Sequence, residues 1–127
     1  MIVFACPPRL SLASFAALCP SVLVIVPLDG ADWGTRGIMQ VTAAIDHVQG
    51  RFDRRLELVG YLVSRFKPSR AYQQSYLAQL RSHFGPKTFE TVIPDLAQFE
   101  RSDTDAVVLT EHAPSSPAAR IAREFFD

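Results

Sequence analysis

Apolar and polar residues alternate along this chain in blocks, and the blocks change period. Val22-Leu23-Val24-Ile25-Val26 is a short, β-branched, unbroken apolar run closed by Pro27. It reads as a strand buried on both faces. Asp29-Gly30 is a turn signal. From near Asp32 the period becomes helical: Ile38, Val41, Ile45 and Val48 recur in steps of three and four and share one face. Strand, sharp turn and amphipathic helix make half of a βαβ unit. The turns that follow the strands of such a sheet form its functional edge, which places Leu28 to Gly34 there, with Trp33 packing at the helix start.

The same reading extends to both ends. Met1-Ile2-Val3-Phe4-Ala5 reads as a strand, ended by Cys6-Pro7-Pro8 because a proline pair cannot continue a ladder. A strand on the very first residue suggests that sequence lies upstream. Leu10 to Leu18 has the composition of a buried helix, stopped by Pro20. Gly50 to Arg55 is a polar turn carrying Arg51, Arg54 and Arg55. Leu56 to Val63 reads as a third strand, and Ser64 to Arg70 as a basic loop on the functional edge. Ala71 to Phe84 is an amphipathic helix with Tyr72, Tyr76, Leu77, Leu80 and Phe84 on one side and Arg81 and the glutamines on the other. Gly85-Pro86 ends it. Thr88 to Ile93 reads as a fourth strand, stopped by Pro94. Asp95 to Pro114 reads as irregular, with a helical turn near Ala97 to Arg101. Ser115-Ser116-Pro117 caps a last helix, Ala118 to Phe126, with Ile121, Ala122 and Phe125 on one face. The order of strands and helices is that of an α/β, doubly wound parallel sheet with right-handed crossovers.

Composition narrows the function classes. The 127 residues suffice for one domain, 48% are hydrophobic and 20% charged, and 13 basic residues balance 13 acidic ones. That profile fits a globular domain and argues against a globally basic nucleic-acid binder, leaving room for a local patch. Cys6 and Cys19 are too few for a zinc site and read as buried thiols in a reducing cytoplasm. His47, His83 and His112 fall on different elements, with no ligand spacing. The apolar stretch from Leu10 to Leu28 is broken by Pro20 and ends in a strand pattern, unlike a signal sequence or a membrane span. A cytoplasmic location is expected.

Several stretches, taken in order, carry a family resemblance. They are Cys6-Pro7-Pro8, Ser21 to Pro27, Val59-Gly60-Tyr61-Leu62-Val63, His83-Phe84-Gly85 and Thr88 to Pro94. Together they resemble the ParA/MinD family of deviant-Walker-A partition ATPases, closest to ParA, and specifically its C-terminal half. The resemblance implies a P-loop NTPase-like partial sheet of about four strands flanked by helices. It implies a single partial domain, residues 1–127, without the N-terminal P-loop half. Family members use ATP and magnesium. Here no GxxxxGK[ST] occurs, and Ala5 stands where the family has its Walker B Asp, so no cofactor is expected for this chain alone. With the P-loop strand missing from its family place, the first strand is expected to close the gap, to detach, or to leave room for a partner. Pro94, Asp95 and Ser64 are the nucleotide-site candidates by resemblance. Arg65, Lys67 and Arg70 are the DNA-contact candidates, whose alternative is a solvated loop. The implied partners are a ParA-like protein or a second copy of the chain, with weak non-specific DNA contact and no membrane.

Overall fold

A computed structural model describes residues 1–7, 10–29, 35–52 and 55–126. The elements in order are α1 (Leu12–Leu18), β1 (Leu23–Asp29), α2 (Thr35–Arg51), β2 (Glu57–Ser64), α3 (Ala71–Phe84), a 3-10 turn (Gly85–Lys87), α4 (Ala97–Thr104), α5 (Leu109–His112) and α6 (Pro117–Phe126). β1 and β2 are hydrogen-bonded neighbours. Glu57 N–H donates to Val22 O at 2.7 Å, and the Ser64 hydroxyl donates to Leu28 O at 3.4 Å. Residue numbers rise together along the two strands, so the pair is parallel. The architecture is α/β, a small parallel sheet flanked by helices.

The chain divides into two compact units: Met1–Val26 with Asp32–Gly60, and Pro27–Ala31 with Tyr61–Asp127. In the first, α2 supplies the core. Ile38, Ala44, Ile45 and Val48 are buried, as the helical spacing requires, and Leu56, the residue just before β2, is buried too. Gln49 Nε2 donates to Leu56 O at 2.5 Å, tying the helix end to the start of β2. The helix start expected near Asp32, the turn at Gly30, Trp33 and Arg54 lie outside the described residues. α1 opens with Ser11, whose hydroxyl accepts from Ser14 N–H at 3.4 Å. Contrary to its composition, α1 is not a buried helix: Ser14 is its one buried residue and Leu12 is 87% exposed. Phe15 instead meets the rim of α2 through an edge-on contact with His47, with ring centroids 6.3 Å apart.

Two strand expectations need correction in this unit. Met1 to Ala5 forms no strand, and its side chains are exposed. β-propensity is realised only by pairing, and among the described residues β1 pairs with β2 alone. The first strand therefore does not close the gap beside β1 among the described residues. β1 itself is not buried on both faces. Val26 is buried, whereas Val22, Leu23 and Ile25 are exposed, because nothing described covers that strand's outer side. The thiols follow the same logic: Cys6 is exposed and Cys19 half-buried, not core residues.

In the second unit Tyr61, Val63, Phe66, Leu77 and Leu80 are buried, and Tyr61 stacks obliquely on Phe84 with centroids 4.7 Å apart. The fourth strand is reduced to isolated parallel bridges, Tyr61↔Thr88 and Phe66↔Pro94. The backbone explains why. Phe89 N–H donates to Tyr61 O and Ile93 N–H to Val63 O. This segment therefore advances four residues while β2 advances two, and a bulge of that size breaks a continuous ladder. The segment expected to be irregular holds α4 and α5. α6 begins as its sequence dictates, with Ser116 Oγ accepting from Ala119 N–H at 3.1 Å and Pro117 in the first turn. Among its described side chains Ala118 and Ala119 are buried, and Phe125 meets Phe89 edge-on at 5.3 Å.

Candidate functional site: the loop after the second strand

β2 ends at Ser64, and the chain then turns sharply through Arg65, whose φ is 53°. A side chain in the left-handed region is strained, and such strain collects where the surrounding structure over-determines the backbone. Here the next residue is clamped on both sides: Phe66 N–H donates to Ile93 O, and Asp95 N–H donates to Phe66 O, both at 3.0 Å. The clamp buries the Phe66 ring and turns Lys67 outward.

The charges of this loop are largely matched. Arg65 Nη1 lies 3.2 Å from Asp29 Oδ2, and Lys67 Nζ lies 2.8 Å from Asp95 Oδ2. The hydrogen bond from Lys67 holds the Asp95 carboxyl below the usual carboxylate range, with Arg65 and Arg70 adding to the effect. Arg70 occupies the N-cap position of α3 with no side-chain cap, exposed. Beside it, hydrogen bonding from Gln73, then from Arg70, pulls the Tyr72 hydroxyl down from its ordinary value.

Gln73 organises the loop from beneath. It is 2% exposed. Its Oε1 accepts the Lys67 backbone N–H at 2.6 Å, and its Nε2 donates to the Tyr72 hydroxyl at 3.3 Å. Gln74 Nε2 donates to Pro68 O, and Arg70 N–H donates to Lys67 O at 3.0 Å. The loop is thus fastened to the first turn of the helix that follows it.

The structure therefore brings Ser64, Arg65, Lys67, Pro94 and Asp95 into one neighbourhood, with Arg70 at its border. The nucleotide-site candidate Asp95 and the DNA-contact candidate Lys67 are ion-paired with each other. Arg65 is spoken for by Asp29. Among the three basic candidates, Arg70 carries the least compensated charge by these contacts. Ala5 lies in the other unit, exposed and outside any strand. Sequence reasoning missed Asp29, Tyr72 and Gln73. Gln73 sits four and seven residues before Leu77 and Leu80, so the helical period itself places it on the buried face. Tyr72, assigned to that face, is 54% exposed.

Among the described residues no group of three or more His, Cys, Asp or Glu side chains could hold a metal ion. No described helix is long and apolar enough to cross a membrane.

Comparison with known proteins agrees with this architecture. A family described as an AAA domain matches residues 1–58. The chromosome-partitioning ATPase Soj of Thermus thermophilus is 32% identical over 123 residues, which cover 97% of this chain and 49% of that protein. The chromosome partitioning protein ParA of Caulobacter vibrioides is 28% identical over 93 residues, 73% of this chain and 35% of that protein. Among solved structures, cobyrinic acid a,c-diamide synthase from Mycobacterium smegmatis superposes with a TM-score of 0.63 at 22% identity, over 85% of this chain and 37% of that one. That likeness speaks to the fold alone. The chain spans about half the length, or less, of the curated relatives named here. Sequence likeness along nearly the whole chain and a shared α/β fold lead to one conclusion: this chain belongs to the ParA/MinD family.

Proposed function

We propose that this chain takes part in ParA-type partition of plasmid or chromosomal DNA in the cytoplasm, does not hydrolyse ATP by itself, and acts by associating with a ParA-like partner chain or with DNA. The observation that carries this reading is Ala5. Family resemblance puts a magnesium-organising carboxylate at that position, and a methyl group offers no lone pair to a metal ion or its water. The residues present do not fit magnesium-ATP. Besides Ala5, the sequence holds no GxxxxGK[ST] to cradle phosphates. The DNA contact rests on Arg70 at the N-terminal end of α3, and an interaction of that kind weakens steeply with salt.

Coverage favours a second reading. Because the chain spans 49% of the Soj protein, it also fits as one half of an active ParA-type ATPase whose P-loop half is encoded upstream. The DNA preceding the Met1 codon separates the two readings, since a GK[ST] loop there supports the second. The direct test is titration of the purified chain with a fluorescent ATP analogue and magnesium. The expected result is no saturable binding at high-micromolar protein. Saturable, magnesium-dependent binding overturns the proposal.

A further inference from the structure

The three tyrosines of the chain have different surroundings. Tyr61 is buried, with its ring against Phe84. Tyr76 is half-buried, and burial pushes its hydroxyl up from the ordinary value. Tyr72 is exposed at the start of α3, and its hydroxyl oxygen accepts from Gln73 Nε2 at 3.3 Å.

One loop and one helix turn surround that oxygen. Gln73 is buried, and its Oε1 is committed to the Lys67 backbone N–H at 2.6 Å. The other end of the amide is therefore fixed as a donor toward the phenol. Arg70 adds a second side-chain hydrogen bond, and the charges of Arg70 and Lys67 act in the same sense. The acids of the loop are already engaged: Asp95 takes one N–H of Lys67 at 2.8 Å, and Asp29 holds Arg65 at 3.2 Å. A lysine ammonium has three such donors.

We infer that Tyr72 is a covalent modification site, a phenol that accepts a phosphoryl group and whose phosphorylated form is held by Arg70 and Lys67. An ordinary phenol is only about one part in a thousand phenolate at pH 7. Donors and cations aimed at the oxygen favour the anion, which is the nucleophile. In the transfer, Tyr72 Oη attacks the terminal phosphorus of a nucleoside triphosphate held by a protein kinase. The new Oη–P bond replaces the bond from phosphorus to the bridging oxygen, the nucleoside diphosphate leaves, and the phenolic proton passes to a base of the kinase or to water. The product selects the class of modification. An aryl phosphate carries nearly two negative charges and three acceptor oxygens, which suit a guanidinium and an ammonium. An acyl product is neutral and leaves those donors worse served. Phosphorylation thus cancels positive charge on this loop and makes Asp95 share Lys67 with the phosphate. The inference rests on the side chains around Tyr72 and is independent of ATP or DNA binding by this chain.

Two measurements on the full chain test it. Benzenesulfonyl fluoride, a small neutral electrophile with a tetrahedral centre, reports the nucleophile, because the Oη–S bond forms as fluoride leaves. Peptide mass spectrometry is expected to find Tyr72 labelled before Tyr61 and Tyr76, and about threefold or more faster than N-acetyltyrosinamide. The midpoint of its pH–rate profile is expected to rise in Arg70→Met and to hold in Arg70→Lys. Arg70 is exposed and makes no side-chain cap, so neither change is expected to disturb α3. Phosphotyrosine incorporated in place of Tyr72 reports the product. Phosphorus NMR is expected to place its second ionisation below the ordinary value of about 6, and to find it raised toward that value in Arg70→Met. The Asp95 midpoint is expected to rise in the phosphorylated chain. Labelling of Tyr72 no faster than the free derivative, a pH–rate midpoint indifferent to Arg70→Met, or a phosphate that ionises as in a free peptide overturns the inference.

Discussion

Replacing Gln73 by methionine isolates the contact that holds the loop after β2. Methionine matches glutamine in length and volume and is as good a helix former, so packing beneath the loop is preserved. The acceptor Oε1 is lost, and with it the 2.6 Å bond from the Lys67 backbone N–H. Leaving such a donor unsatisfied costs about 1–3 kcal/mol. The second bond, from Nε2 to the Tyr72 hydroxyl, is longer at 3.3 Å and ends on an exposed side chain that water can serve. Burying a thioether in place of an amide returns part of the loss, so a net destabilisation of about 2 kcal/mol is expected. In a domain of this size that lowers the melting temperature by about 6–10 °C. Urea denaturation followed by circular dichroism measures the global effect. Amide exchange at Lys67 measures the local one, and its protection is expected to fall together with stability. If Gln73→Met leaves the urea midpoint unchanged and Lys67 as protected as before, Gln73 does not fasten the loop and the reading of this site is refuted.

Two smaller perturbations probe the rest of the second unit. Ser116→Ala removes the oxygen that accepts from Ala119 N–H and is expected to destabilise the chain by about 1 kcal/mol. Thermal denaturation checks this, and Ser115→Ala serves as the control with no expected change. The Lys67–Asp95 pair sets a pH dependence with a definite sign. The Asp95 carboxyl is held low in the folded chain by Lys67, so the pair's contribution is complete above the unfolded carboxylate value of about 4 and fades as pH falls through the lower folded value. A carboxyl titration by NMR is expected to find the Asp95 midpoint below its ordinary value, and to find it raised toward that value in Lys67→Met, where Arg65 and Arg70 remain. An unchanged midpoint in that variant removes Lys67 as the cause.

Where the sequence was legible, one residue's period was enough to place its neighbours. α3 runs from Ala71 to Phe84 as its amphipathic spacing and its Gly-Pro stop foretell, and Ser116-Pro117 opens α6 by cap chemistry that needs no tertiary partner. The face of α2 was legible for the same reason. The strands were less so, because a strand is defined by what lies beside it. Met1 to Ala5 and Thr88 to Ile93 have the same strand-forming character as β2. One lacks a neighbour among the described residues, and the other loses step with β2 after Phe89. Neither circumstance is written in the segment itself. At the candidate site, the basic residues were found by charge, but their partners were not. Asp29 and Asp95 reach them across 36 and 28 positions of sequence, a proximity that only the folded chain creates. Gln73 was hidden by its polarity, since a composition rule assigns glutamine to solvent while the helical period assigns this one to the interior.

The clamp around Phe66 has a thermodynamic corollary. Its amide and carbonyl are both taken by the Ile93–Asp95 segment, and the lysine that follows is bonded to Asp95 at one end and to Gln73 at the other. Loosening the stretch after β2 therefore means releasing the stretch after Ile93, so the two are expected to open as a single cooperative unit. Their conformational entropy is surrendered once, at folding, and not again when something binds there. A ligand that touches either stretch meets both already ordered, and the cost of holding the second has been met before it arrives.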